Sequence, residues 1–362
     1  YNEMLLVDFK QLKELLNSSR IVGKISQQNF EFIVGLGEVW TSRLVYSKLK
    51  NKIDYARWID SRKTLIVKDT DNGLEYDREL SLKKLNADSS GDQKELLIIT
   101  GYIAQTEEGV ATTLGRNGSD FSASIYGDIL SAKQITIWTD VDGVMSADPR
   151  IVPEARVVPN LSYQEATELA YFGAKVIHLK TMLPALKRDI PLYIKNTFAP
   201  EKNGTQISTQ SPSSPDHPVK GLSTISDIAL LNVEGRGMVG VPGIAARLFS
   251  ALHSEKISVV LISQASSEYS ICFAIPEDQS AKALECAEQS FFSELQKGQI
   301  EKIHVEKDCH ILAAVGDGMV GSVGLSARFF SALGKAQINI RAIAQGSSCL
   351  LYTSDAADDM FR

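Results

Sequence analysis

The stretch Thr112–Arg150, TTLGRNGSDFSASIYGDILSAKQITIWTDVDGVMSADPR, reads as a loop, a helix, a strand and a second loop, and its reading decides the fold. Gly115 and Gly118 permit a tight bend and a close approach of the backbone to a ligand. Ser119 and Asp120 stand where the helix should begin. Free N–H groups and the positive end of the helix dipole therefore face the loop, which is the geometry of an anion site. QITIWT then alternates with period two, as a strand does, and ends on Thr139-Asp140. Arg116, Asp120, Thr139, Asp140 and Arg150 are thus brought to the ends of regular elements, and an anionic small molecule is the first ligand class to consider.

Upstream, Tyr1–Arg20 carries leucines at helical spacing. EFIVGLGEVW reads as a short apolar strand running through Gly35 and Gly37 into a helix, with Glu38 at the junction. From position alone Glu38 either complements the helix dipole or serves a ligand. DYARWID and KTLIVKD read as strands, and ELLIITGYIA as a buried parallel strand that breaks at Gly101. Downstream, SYQEATELAYFG is a helix with a Ser162–Glu165 capping box and a left-handed Gly173. Lys175 follows, and by itself it could merely offset the dipole of that helix. KVIHLKTMLPALKRD is a further helix and IPLYIKNTF a strand. Strands alternating with helices up to about residue 200 indicate an α/β domain with a parallel or mixed sheet, and such sheets bind ligands beyond the carboxyl ends of their strands. Gly101, Thr139 and Asp140 are expected to converge on one such edge. The proline- and serine-rich run Ala199–Gly221 reads as an exposed linker.

The rest is an internal repeat. GRGMVGVPGIAARLFSALHSEKISVVLISQASS begins at Gly235 and GDGMVGSVGLSARFFSALGKAQINIRAIAQGSS at Gly316, an offset of 81 residues (316 minus 235). Each copy reads strand, glycine loop, helix, strand, and EYSICFAIP, CAEQSFFSELQ and KIHVE complete a βαββαβ unit in the first. Both copies contain GxGxxG, but the second strand runs into Gln264 or Gln345 where a dinucleotide site needs an acidic residue for the ribose. A glycine loop and a glutamine suit an uncharged or zwitterionic ligand better. TDVDGVMSADP fails as a calcium loop, because its glycine comes fourth rather than sixth.

A net charge of −6 argues against general nucleic-acid binding, and no apolar run approaches the roughly 20 residues that span a bilayer. The four cysteines form no CxxC pair and the five histidines have no metal-ligand spacing, so free packing cysteines in a reducing compartment are expected and no protein-held metal centre.

TTLGRNGSD, IWTDVDGV, SADPR, SYQEATELAYFGAKVIH and IPLYIKNT together resemble the amino-acid-kinase domain of aspartate kinases, and the repeats, with LISQASSEYSI and IRAIAQGSS, resemble ACT domains. Across about residues 20–348 the resemblance is to the kinase portion of bifunctional aspartokinase–homoserine dehydrogenases. It implies a three-layer α/β kinase domain with a mainly parallel sheet, then tandem βαββαβ ferredoxin-like ACT domains. The implied boundaries are 1–205 for a kinase domain lacking its N-terminal strand, 206–224 for the linker, 225–307 and 308–348 for the ACT domains, the second incomplete, and 349–362 for an atypical tail. The implied reaction is ATP- and Mg²⁺-dependent phosphorylation of the L-aspartate side-chain carboxylate to 4-phospho-L-aspartate, the first step toward threonine, methionine, lysine and isoleucine.

Carried over by position, Glu38 would hold the substrate amino group and Arg116 the substrate carboxylate, and Thr113 would also bind the substrate. Asp120 would organise the centre. Thr139, Asp140 and Met145 would bind the nucleotide, with Met145 where the family has a tyrosine. Arg150 and Lys175 would lie near the ATP phosphates. Gln264 and Gln345 would bind threonine as allosteric effector, or lysine if the chain were a monofunctional lysine-sensitive enzyme. Pairing of ACT domains implies a homodimer or higher homo-oligomer, and the implied location is soluble, cytoplasmic in a bacterium and plastid stroma in a plant or alga. The family's opening lysine-phenylalanine-glycine-glycine strand, with its phosphate-binding lysine, has no counterpart in Tyr1–Arg20. The chain by itself is therefore expected to be inactive or impaired as a kinase, and a non-catalytic amino-acid-binding module is the alternative from another class.

Overall fold

The structure, a computed structural model, describes residues 2–70, 73–88, 95–173, 176–212, 218–264, 269–319, 322–346 and 349–355. In chain order the first part contains α1 (Asn2–Val22), α2 (Gln27–Leu49), β1 (Ala56–Ile59), the single turn α3 (Ser61–Thr64), β2 (Ile66–Thr70), β3 (Gly73–Tyr76), α4 (Arg78–Asp88), β4 (Leu96–Ile99), β5 (Ile103–Thr106), β6 (Ala111–Thr113), α5 (Gly118–Ile129) and β7 (Ile135–Thr139). There follow β8 (Asn160–Ser162), α6 (Tyr163–Tyr171), α7 (Leu179–Lys187), β9 (Leu192–Asn196) and β10 (Thr205–Ser208). The repeats supply β11 (Gly221–Glu234), α8 (Ile244–Ser254), β12 (Leu261–Gln264), β13 (Ser270–Pro276), α9 (Ser280–Ser290), α10 (Phe292–Gln296), β14 (Lys302–Val315), α11 (Leu325–Lys335), β15 (Ile340–Gln345) and β16 (Cys349–Asp355). Two compact units result, residues 1–142 with 177–209, and residues 143–176 with 210–362. Residues 143–176 thus group with the repeats, across the boundary expected at 205.

In the first unit β1 pairs with β4, β2 with β5 and β7 with β9, all parallel, while β3 and β6 add antiparallel edges and β10 pairs antiparallel with β9. Helix α5 sits in the core with Phe121, Ile125, Tyr126 and Ile129 packed against Ile59, Leu65, Val67 and Ala104. Gly127 lets α5 approach β7, since a Cβ there would lie 2.5 Å from Ile135 Cδ1. Asp128, on the same helix, is buried and accepts hydrogen bonds from Tyr76 Oη (2.5 Å), Arg188 Nε (2.8 Å) and Arg78 Nε (3.2 Å). Arg78 Nη2 also donates to the carbonyls of Asp128 and Ile129, so two cations stand where the negative end of the α5 dipole emerges.

One expectation is overturned here. EFIVGLGEVW is no strand but the middle of α2, a continuous helix capped by Ser26, whose side chain accepts the Asn29 amide at 3.2 Å. A glycine inside a helix costs roughly 1 kcal/mol in intrinsic propensity, yet Gly35 is required by packing. A Cβ at that position would lie 2.7 Å from Cγ2 of the buried Ile103. Long-range contact, absent from the local pattern, decides between the two readings.

In the second unit one antiparallel sheet has the order β12-β13-β11-β14-β16-β15. β11 and β14 are 14 residues long, and each bends at a residue of positive φ, Asp227 (58°) and Asp308 (56°). The Ile228–Glu234 half of β11 pairs with β13 and with Lys302–Cys309, completing the first βαββαβ module as expected. The Gly221–Ile225 half pairs instead with Ile311–Val315. The second repeat therefore takes its closing strand from residues upstream of the first, so it does not lack that element. Cys349–Asp355 corrects the reading of the tail: its backbone pairs with both β14 and β15, the place that Ser270–Pro276 occupies in the first repeat. Residues 356–362 lie outside the described residues. The expected linker also contains β10 and the start of β11. Leu231, Val233, Phe273, Ile275, Leu248 and Leu252 form the core of the first module, and Ala314 and Leu333, with Leu312 and Phe330, that of the second.

Candidate active site

The loop into α5 is shaped by two residues of positive φ, Gly115 (73°) and Asn117 (58°), with Arg116 between them. The Gly118 amide closes the bend on the Gly115 carbonyl at 3.0 Å, and the Leu114 amide ties it to the Tyr102 carbonyl at 2.8 Å. Asn117 occupies the N-cap position without capping through its side chain, so the helix start, where the sequence places an anion site, carries no side-chain cap. A cavity of about 460 Å³ opens at this helix end, and Thr113, Arg116 and Asp120 line it. Glu38 joins from α2, where its Oε1 accepts the Ser119 hydroxyl at 3.0 Å. The structure thus gathers Glu38, Thr113, Arg116 and Asp120 at one helix terminus. Burial pushes the Asp120 carboxyl above its ordinary value, which marks a carboxylate whose charge is relieved when a cation joins it.

The other predicted residues lie elsewhere. Thr139 and Asp140 end the parallel strand β7, as expected of a ligand edge, with Thr139 Oγ1 3.2 Å from Asp140 Oδ1, but they do not line the Arg116 cavity. Met145 and Arg150 belong to the second unit. Met145 forms an isolated bridge with Val157, and the exposed Arg150 is forked onto Asp148 at 2.6 Å, a pairing that holds its pKa above the usual value. Gln264 and Gln345 are exposed at the ends of β12 and β15. Lys175 lies outside the described residues.

Sequence reasoning missed several cavity residues. Tyr102 adopts φ 67° and packs so close that a Cβ on Gly118 would lie 2.7 Å from its Cδ2. An aromatic residue after Gly101 was the available signal. Glu31 also lines the cavity and is fixed by Thr112 Oγ1 (2.7 Å) and Gln27 Nε2 (2.8 Å), a contact 81 residues apart in the chain that no local pattern announces. Beyond β7, Asp142 accepts from Asn196 Nδ2 (2.7 Å) and Lys202 Nζ (2.6 Å), bonds that hold its carboxyl below the usual range.

A model of the amino acid kinase family matches residues 5–196, more than half of the 362-residue chain. The chain belongs to the amino acid kinase family. The α5 terminus, with Arg116 and Asp120, falls inside the matched segment. An ACT domain model matches residues 231–291 and 312–353, and the second match runs into β16, in keeping with its place in the sheet. Among relatives, the chain is 44% identical to the chloroplastic bifunctional aspartokinase/homoserine dehydrogenase 1 of Arabidopsis thaliana, matching 94% of this chain and 38% of that protein. To the bifunctional aspartokinase/homoserine dehydrogenase of Haemophilus influenzae it is 42% identical, matching 94% of this chain and 42% of the relative. The chain thus spans less than half the length of these curated relatives. Among solved structures it resembles E. coli aspartokinase III in complex with aspartate and ADP, with a TM-score of 0.77, 26% identity, and coverage of 100% of this chain and 80% of that one. The mixed α/β fold followed by ACT repeats is as the resemblance implied. Among the described residues no helix is long and apolar enough to cross a membrane.

Proposed function

We propose that this chain carries the substrate and nucleotide sites of an aspartate kinase, which transfers the γ-phosphoryl group of ATP to the side-chain carboxylate of L-aspartate. In that transfer a carboxylate oxygen bonds to the γ-phosphorus as the bond to the β,γ-bridging oxygen breaks, giving 4-phospho-L-aspartate and ADP. The observation that carries the reading is the gathering of Arg116, Thr113, Asp120 and Glu38 at the uncapped terminus of α5, within the family-matched segment. Arg116 offers a planar fork that can take a carboxylate through two parallel bonds. Glu38 supplies the complementary charge for the ammonium group, and Thr113 a hydroxyl beside it. The amides of α5 favour negative charge at the acceptor.

Asp120 fits a cationic neighbour, because its burial already disfavours an unpaired charge. Mg²⁺, when bound, would neutralise phosphate charge there. Thr139, Asp140 and Met145 are assigned to the nucleotide, Arg150 and Lys175 to its phosphates. The repeats are assigned to feedback control, with Gln264 and Gln345 contacting threonine in preference to lysine, and to association of copies through their sheets.

The test is calorimetric titration of L-aspartate, and separately of L-glutamate, into the chain saturated with ADP and Mg²⁺. L-aspartate is expected to bind saturably and at least tenfold more tightly than L-glutamate. Equal affinities, or no saturable aspartate binding, would overturn the assignment.

A further inference from the structure

A further cavity, of about 800 Å³, opens in the repeats where β11 and β14 bend. Ile228 of β11 pairs with Pro276, the last residue of β13. Asp227, one residue before that pair, and Glu277 and Asp278, just beyond it, therefore come to the same end of the two strands. Lys307 joins from β14, beside the bend at Asp308. Ile228, Val260 and Pro276 give the cavity an apolar wall, and Ser280, the first residue of α9, lines it as well. Neither Gln264 nor Gln345 lines it, nor does any described residue of the two glycine loops.

The charges around this cavity are not matched. Asp227, Glu277 and Asp278 stand against one lining cation, Lys307, which forms no ion pair with them among the described residues. Glu277 is accounted for by the fold, since its Oε2 accepts the Asp308 amide at 2.9 Å and its charge precedes the positive end of α9. Asp227 and Asp278 have no such role. Asp227 accepts the Ser226 hydroxyl at 3.0 Å, and the exposed Asp278 has no hydrogen bond or ion pair among the described residues. Ser280 adds an observation independent of charge. It is 2% exposed and lines the cavity, yet its hydroxyl has no hydrogen-bond partner among the described residues. A hydroxyl buried without a partner is costly, and a polar ligand atom in the cavity relieves that cost.

We propose that this cavity binds a small organic cation, a primary amine carried on an apolar chain. An ammonium group offers three donors, for which Asp227, Asp278 and the Ser280 hydroxyl are acceptors, and the bonds to carboxylates are charge-assisted. The chain of the ligand lies along Ile228, Val260 and Pro276, where its burial adds to the affinity. A carboxylate on the ligand would meet the excess of negative charge, so an acid or a zwitterion is disfavoured. The site is independent of the roles given to the α5 terminus and to the two glutamines.

The test is calorimetric titration of pentylamine into the native chain at low ionic strength, where exposed charges are least screened, with pentanoate and 5-aminopentanoate titrated separately. Pentylamine is expected to bind saturably, 5-aminopentanoate at least about threefold more weakly, and pentanoate not at all. Asp227→Asn keeps a residue tolerant of the positive φ and removes the charge, and Ser280→Ala removes the hydroxyl. Each should weaken pentylamine binding by about threefold or more. No saturable pentylamine binding, equal affinity for pentylamine and either acid, or an unchanged affinity in either folded variant overturns the proposal. Amine attracted to some other acidic surface would leave both variants unaffected, and so counts against it. Should Asp227→Asn not fold, Asp278→Asn, at an exposed position, is held to the same outcomes.

Discussion

Asp128→Asn removes the charge that anchors the end of α5 remote from the cavity. The carboxylate is 4% exposed and faces Arg78 and Arg188, which are 28% and 47% exposed. Breaking a buried ion pair by neutralising one partner costs about 3–5 kcal/mol. Here both arginines can regain water and asparagine can still accept the Tyr76 hydroxyl, so a loss of about 2–3 kcal/mol is expected. At roughly 2–4 °C per kcal/mol for units of this size, the melting temperature should fall by roughly 4–12 °C in a calorimetric scan at pH 7. The pH dependence has a fixed sign. Burial disfavours the charged form, but the hydrogen bonds from Tyr76, Arg188 and Arg78 outweigh it and hold the folded pKa below the ordinary carboxylate value. That stability is fully present above the unfolded pKa, about 3.9, and is lost as pH falls through the lower folded value. The gap between native and variant should therefore be equal at pH 7 and pH 5 and narrow at pH 3. A variant as stable as the native chain at pH 7, or a gap that widens in acid, would refute the reasoning.

Asp120→Asn should act in the opposite direction on stability, since a raised carboxyl pKa means that its charge is a penalty in the fold above that pKa. A gain of about 0.5–2 kcal/mol is expected at pH 7, shrinking as pH falls into the range where the native carboxyl protonates, together with weaker Mg²⁺-dependent nucleotide binding. Lower thermal stability at pH 7 would count against it. Gly173→Ala should cost at least about 2 kcal/mol, because φ 111° is strained for alanine and the Thr224 carbonyl blocks the new Cβ. Denaturant titration measures it, and a change under 0.5 kcal/mol would show that the α6–β11 contact is not as close as described. The Cys272 thiol is pushed up to about 11, by burial first and then by Glu306, Cys309 and Glu234. Iodoacetamide at pH 8 should modify it roughly a hundredfold more slowly than a free thiol, as mass spectrometry of the native chain would show, and rapid labelling would contradict that environment.

The parts of the fold that local chemistry determines were legible. The Ser162–Glu165 box starts α6, Gly173 ends it, QITIWT is β7, and Gly115 and Gly118 mark the bend into α5. Elements decided by distant partners were not. Gly35 looks like a helix breaker until Ile103 is placed against it, and Cys349–Asp355 becomes a strand only because β14 and β15 offer free edges on either side. That one strand, β11, closes two modules is invisible to a repeat comparison, since its first half lies before the first copy. The candidate site divides in the same way. Arg116, Thr113 and Asp120 share one short segment whose glycines and helix start announce them, whereas Glu31 and Tyr102 acquire their roles through a contact spanning 81 residues or through an unusual φ.

The central claim is that the terminus of α5 binds L-aspartate through Arg116. Titration of L-aspartate into the native chain and into Arg116→Met, with folding checked by circular dichroism, tests it most directly. Loss of a charge-assisted contact of about 1.5–3 kcal/mol should weaken binding roughly 10- to 150-fold. Equal aspartate affinity in a folded Arg116→Met chain would contradict the account.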